Sequence, residues 1–336
     1  MEQQYENNHQ PRRTVRRRRV RYDRIFIALA MLVVIFILLF SCTCSCVRCV
    51  CSPSGDTETS STEPVSDSTS TVVSIIVSTS ESSTMSISSQ EAVSMTLGEN
   101  DVHKGTLAVV NVNHPYTFPM GDADLVNVEE KRSSSYTVNS SDIMLDETAI
   151  INLNQFISEF STLYGKTDIK VDGGYRSKEE QDSKYSNGSS IFAGGYSDYH
   201  TGRSVDLYMD DMKSYYVASG DYAWINENAY KYGFILRYPE GKMDATGINP
   251  RAYTFHYVGV PHSYYMNENK LCLEEYVEAV KNYPATSPLT IDTDDGVWTV
   301  FYTELSSAGN AVINIPSCQE YTISGDNIGG FIIAYK

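Results

Sequence analysis

The chain has 336 residues, with 42 Asp and Glu against 26 Lys and Arg, a net charge of −16, and 41% hydrophobic residues. That composition excludes a wholly disordered chain, a collagen-like fibre and a multi-span membrane protein. The acidic balance argues against a nucleic-acid binder, because neutralising phosphate needs clustered Lys and Arg.

The charge is split unevenly. Residues 1–24 carry eight arginines against Glu2, Glu6 and Asp23, a local +5, which leaves −21 for the remainder. Between Arg24 and Arg48 lie 23 uncharged residues. As a helix they would measure about 34 Å, enough to cross a hydrocarbon core of about 30 Å. Residues 25–47 are therefore expected to form a transmembrane helix. The arginine block places residues 1–24 in the cytosol, against anionic lipid headgroups, and the rest outside. A cleaved signal peptide, or lipoprotein processing at Leu39-Phe40-Ser41-Cys42, would export the same acidic ectodomain.

Cys42, Cys44, Cys46, Cys49 and Cys51 crowd the expected membrane exit without the paired spacing of a zinc cluster. Lipidation, intermolecular disulfides or no role remain open for them. Pairing of Cys272 with Cys318 in an oxidising exterior is also open. About half of the stretch from Ser52 to Met95 is Ser or Thr, which buries too little apolar surface to offset chain entropy. Residues 48–96 are expected to be a Cys-rich juxtamembrane segment and a disordered stalk.

From residue 97 the sequence turns Tyr-rich and punctuated by turns. Thr106 to Val112 alternates like a first strand. Asp146 precedes an apolar stripe at Ile150, Leu153, Ile157, Phe160 and Leu163 that Gly165 closes, the pattern of a capped amphipathic helix. Further helices are expected from Asp221 to Tyr232 and from Leu271 to Tyr283. Strands are expected at Ile169–Val171, Ser204–Tyr208, Ile235–Tyr238 and Tyr253–Val258. The irregular interleaving predicts an α+β domain over 97–285, a small mixed or antiparallel sheet with flanking helices. Residues 286–336 read as a small all-β appendage, with strands at Trp298–Tyr302, Ala311–Ile315 and Gly330–Tyr335.

No phosphate-binding loop and no G-x-S-x-G elbow occurs. Six histidines limit metal or acid–base chemistry to His9, His103, His114, His200, His256 and His262. His9 falls in the cytosolic tail, and His103 and His114 lack neighbouring acids. His200 stands six residues before Asp206 across a glycine turn, and His256 shares a strand face with Thr254.

Four blocks then occur in a familiar order: Gly174-Tyr175-Arg176-Ser177 with Gln181; Ser197-Asp198-Tyr199-His200-Thr201-Gly202-Arg203-Ser204-Val205-Asp206; Asn228-Ala229-Tyr230-Lys231-Tyr232-Gly233-Phe234 through Pro239; and Phe255-His256-Tyr257-Val258-Gly259. Together they resemble the VanY-type D-alanyl-D-alanine carboxypeptidases. The resemblance implies an extracytoplasmic bacterial zinc metallopeptidase fold whose substrate is the peptidoglycan stem peptide. It implies substrate binding by Arg176, Gln181 and Ser197.

The family's metal and base positions are S-x-H-x-x-G-x-A-x-D and E-x-W-H. On this chain they fall on Tyr199, Asp206, Arg251 and Thr254, so Asp206 alone keeps its family identity. A guanidinium about 5 Å from a divalent ion would repel it by roughly 7 kcal/mol at an effective dielectric near 20. Three functions follow. A rewired zinc site of Asp206, His200 and His256, or His262 as third ligand, would keep carboxypeptidase activity. A non-catalytic relative would bind wall peptides. A surface scaffold would need neither.

Overall fold

The computed structural model describes residues 92–210, 214–317 and 320–336. The expected membrane helix, the cysteine cluster and most of the stalk lie outside the described residues, as does Cys318. Among the described residues no helix is long and apolar enough to cross a membrane.

The fold is α+β. A six-stranded sheet runs in the order Thr137–Val138, Ile169–Val171, Ser204–Met209, Arg251–Tyr257, Phe234–Tyr238, with Ser214–Tyr215 also pairing to Ser204–Met209. The first pair is parallel and the others antiparallel. Its central ladder sets Ser204 opposite His256 and Asp206 opposite Thr254. Beside the sheet lies the Glu147–Tyr164 helix. Asp146 caps it by accepting from the Thr148 and Ala149 amides, and Gly165 ends it in the left-handed region at φ 65°. Its apolar stripe, with Leu153, Phe156, Ile157 and Phe160, packs on Val205, Leu207, Phe234 and Phe255. Each such fully buried side chain stabilises the fold by about 1.5–3 kcal/mol.

The Asp221–Tyr232 helix is broken: a 3-10 turn at Gly220–Tyr222, an α segment at Ala223–Asn228 and a second 3-10 turn at Ala229–Tyr232. The Leu271–Tyr283 pattern forms an α-helix over Leu273–Val280. Thr106 to Val112 forms no strand. Leu107 to Val110 are buried in irregular chain, held by the Val109 amide on the Asp326 carbonyl and the Leu107 amide on Ser324 Oγ. Burial by a neighbouring sheet, not pairing within one, explains that apolar run.

The C-terminal residues form a four-stranded antiparallel sheet in the order Leu289–Thr293, Gly296–Glu304, Gly330–Tyr335, Tyr321–Gly325. This module shares a core with the rest of the domain: Trp298, Val300 and Ile332 pack with Leu273, Tyr276, Val277 and Val258. Its remaining strand, Asn310–Pro316, pairs with Ala92–Gly98 in seven antiparallel couples from Ala92–Pro316 to Gly98–Asn310. The first strand thus begins within the segment expected to be stalk.

Candidate functional site

The cleft is built on the Ser204–Met209 and Arg251–Tyr257 ladder and on the loops that meet it. Asp206 is buried at the centre of the sheet. Thr254, its ladder partner, donates through Oγ1 to Asp206 Oδ1 at 2.7 Å. The Tyr199 hydroxyl stands 2.7 Å from both carboxylate oxygens. Tyr199 reaches them from a 3-10 turn, Asp198–Thr201, which Gly202 closes at φ 70°. The left-handed φ favours glycine there, and a Cβ would also stand 2.5 Å from Leu125 Cδ2, so that side chain would have to shift. Gly174 is similarly constrained, since a Cβ there would stand 2.6 Å from the Met144 carbonyl oxygen.

The positions that the resemblance marks for zinc ligands, Tyr199, Asp206 and Thr254, therefore do converge, but on each other. Zinc holds ligands at about 2.0–2.3 Å, which separates oxygens across a tetrahedral ion by about 3.3 Å. Here the oxygens close to hydrogen-bond distance instead. Burial and the Asp206 charge hold the Tyr199 hydroxyl well above its ordinary pKa, so it stays a neutral donor. Burial raises the Asp206 carboxyl, and its bonds to Thr254 and Tyr199 and the charges of Arg176 and Arg251 only partly oppose this. A neutral phenol, an alcohol and one carboxylate do not fit a zinc ion.

The histidine set does not replace them. His200 accepts the Gly195 amide at Nε2, 2.9 Å, and its Nδ1 lies 2.7 Å from the Arg176 carbonyl oxygen. Burial lowers its pKa. His256 has Nδ1 2.7 Å from Asp198 Oδ2 and Nε2 3.1 Å from the Thr106 carbonyl oxygen. His262 accepts at Nδ1 from the Tyr276 hydroxyl, 2.6 Å away in the second core, and burial lowers its pKa to about 3. Among the described residues no group of three His, Cys, Asp or Glu is placed to hold a metal ion. Imidazoles beside a lost ligand position were taken up by neighbouring carbonyl and carboxylate oxygens.

Arg176 is positioned with care. Its guanidinium lies over the Tyr199 ring, 3.9 Å from the centroid, and Nη1 donates to Gln181 Oε1 at 3.3 Å. Gln181 is fully buried, and its amide nitrogen donates to Ser190 Oγ and the Phe192 carbonyl, each at 2.7 Å. Gln181 is thus a brace for Arg176 and the 190–192 loop, not a group exposed to a ligand. His200 braces the same arginine through its main chain. Ser197 is buried ahead of the 3-10 turn, and its hydroxyl has no hydrogen-bond partner among the described residues.

The cleft has two lobes that share Arg176, Ser189, Asp206 and Tyr215. One, of about 860 Å³, runs past Asp172, Tyr175 and Glu179. The other, of about 200 Å³, is closed by Phe192, Tyr199, Arg251 and Tyr253. Tyr215 and Tyr253 stack at 4.1 Å on its rim. No sequence pattern links these two tyrosines, because they sit on separate strands that only the sheet brings together.

A buried ionic cluster behind the cleft was also not foreseen. Arg237, fully buried, bonds Asp198 Oδ1 at 3.0 Å through Nε and Glu274 at 2.8 and 2.9 Å through its two terminal nitrogens. Burial alone would raise the Asp198 carboxyl, but Arg237 and His256 outweigh it and hold it below the usual carboxylate range. An arginine inside the apolar run Phe234-Ile235-Leu236-Arg237-Tyr238 was the available signal. So charged a residue in a fully buried strand position needs buried acids to face it.

Sheet, cleft and arginine together define the VanY/VanX class of peptidase folds. The solved D,D-dipeptidase VanXYg, in complex with a D-Ala-D-Ala phosphinate analogue, is 26% identical with a TM-score of 0.63, over 73% of this chain and 99% of that one. A family model for VanY, described as D-alanyl-D-alanine carboxypeptidase, matches residues 143–260. A D-alanyl-D-alanine carboxypeptidase of Enterococcus faecium is 31% identical over 250 residues, 73% of this chain and 80% of that protein. Another, of Enterococcus faecalis, is 36% identical over 87 residues, 26% of this chain and 32% of that protein. The chain belongs to the VanY family of D-alanyl-D-alanine carboxypeptidases.

Proposed function

We propose that this chain is a membrane-anchored, extracytoplasmic protein that binds peptidoglycan stem peptides by their terminal carboxylate and does not cleave them. One observation carries the reading: Asp206, the retained member of the family's metal set, is bonded to Tyr199 and Thr254 where metal ligands would stand. Family membership supports the peptide as ligand, as does the relative bound to a D-Ala-D-Ala analogue. Arg176 supports the mode of binding, because it lines both lobes and has no carboxylate partner among the described residues. A guanidinium held by an aromatic face and an amide keeps most of its donors for a planar anion. The arginine-rich residues 1–24 and the apolar segment after them support the anchor.

The test uses the full chain in detergent micelles with a stem pentapeptide ending in D-Ala-D-Ala. Calorimetry should show binding that Arg176→Gln weakens ten-fold or more. No D-alanine should be released, and metal analysis should find no stoichiometric zinc. Release of D-alanine with one bound zinc per chain would overturn the proposal.

A further inference from the structure

We infer that Arg251 is the second half of a two-arginine clamp, so that the ligand's free carboxylate is held between Arg176 and Arg251 in the smaller lobe. The inference rests on the peptide-binding reading above and adds a specificity residue that the family pattern does not contain.

Arg251 opens the Arg251–Tyr257 strand, opposite Tyr238. Regular alternation would separate it from Thr254, since residues an odd number apart face opposite sides. The ladder is irregular here: Leu236 pairs with Phe255 and Tyr238 with Arg251, so four residues of one strand span two of the other. Such a bulge re-aims side chains. It lets Arg251 and Tyr253 line the same lobe as Asp206.

Both guanidiniums are oriented by rings and not by acids. Arg251 lies 5.9 Å from the Phe192 centroid and 5.5 Å from that of Tyr238, and Arg176 lies 3.9 Å from that of Tyr199. Neither has an ion-pair partner among the described residues. A cation–π contact engages a guanidinium through its charge and leaves its N–H groups available. Asp206 is the one acid among the residues lining the lobe, and its oxygens already accept from Tyr199 and Thr254. Two cations therefore face one satisfied carboxylate, an excess of one positive charge that a single monoanion neutralises. A small terminal residue carrying a free carboxylate matches this chemistry, and the same peptide ending in an amide does not.

The experiment titrates the full chain in micelles with the D-Ala-D-Ala pentapeptide as free acid and as C-terminal amide. Wild type should prefer the acid by ten-fold or more. Arg251→Gln should lose most of that preference, Arg251→Lys should recover part of it, and Arg251→Glu should abolish binding of the acid. Unchanged melting temperatures would show that each variant folds. Acid binding by Arg251→Gln within two-fold of wild type, beside a large loss in Arg176→Gln, overturns the clamp and leaves the peptide-binding reading standing. No binding of either peptide by wild type overturns both.

Discussion

The Tyr199 hydroxyl lies 2.7 Å from both carboxylate oxygens of Asp206, while the ring of the same tyrosine lies 3.9 Å from the Arg176 guanidinium carbon. One side chain thus satisfies the buried acid and presents the arginine. The two roles separate on substitution. Tyr199→Phe keeps the ring and removes the donor, so it should cost about 1–3 kcal/mol of stability with peptide affinity changed less than three-fold. Tyr199→Ala should also lose Arg176's platform and bind at least ten-fold more weakly. Thermal melts and calorimetry measure the two effects, and equal affinities for the Phe and Ala variants would contradict the platform.

If hydroxyl chemistry is what keeps zinc out, returning nitrogen ligands should bring it in. The triple variant Tyr199→His, Thr254→His, Arg251→Glu retains Asp206 and removes the neighbouring cation. It should purify with close to one zinc per chain by plasma emission, while wild type carries none. A metal-free triple variant that melts normally would mean that the backbone, and not only the donors, departs from a zinc geometry.

Asp206 is a carboxylate whose pKa is raised, chiefly by burial. The folded protein therefore holds that proton more tightly than the unfolded chain, and the ionised group costs stability at pH values above the ordinary carboxylate range. The cost falls as pH drops toward that range. Asp206→Asn should raise the melting temperature at pH 7, and the gain should shrink toward pH 4. A melting temperature lowered equally at both pH values would refute this.

His262 has the opposite consequence for acid. Its folded pKa, lowered to about 3 by burial, lies below the unfolded value near 6.5. The unfolded chain takes up the proton first, so stability present above pH 6.5 drains away as pH falls toward 3, at up to about 1.4 kcal/mol per pH unit. Urea unfolding at several pH values should show this slope in wild type. His262→Gln should flatten it, and an unchanged slope would assign acid sensitivity elsewhere.

Arg237→Met would leave Asp198 and Glu274 buried without their cation. The loss should be about 3–5 kcal/mol. Adding Asp198→Asn and Glu274→Gln should restore part of it, whereas a purely packing defect would not respond.

Much of this was legible in the chain. The Asp146 cap, the five-residue apolar stripe and Gly165 located the long helix almost to the residue, because capping and periodicity are local. The family pattern, laid on Ser197, Gly202 and Asp206, put Tyr199 on a ligand position and, laid on Tyr257-Val258-Gly259, put Thr254 on another, and those two meet Asp206 in space. Three things were not legible. The Lys178–Ser186 helix buries only Gln181 and so has no apolar stripe to read. The Ala92–Gly98 strand is drawn from Ser- and Thr-bearing sequence and exists because Asn310–Pro316 pairs with it. The partners of His200 and His256 are main-chain and carboxylate oxygens from distant segments, which no spacing along the chain encodes.

The Ala92–Gly98 pairing has a mechanical consequence. It is the first described element, so tension arriving along the polypeptide from its N-terminal side meets seven paired residues of the C-terminal module before it can reach Asp206 or Arg176. In the proposed anchored, peptide-binding protein the ladder would act as a strain relief, taking up a pull on the chain while the cleft keeps its shape.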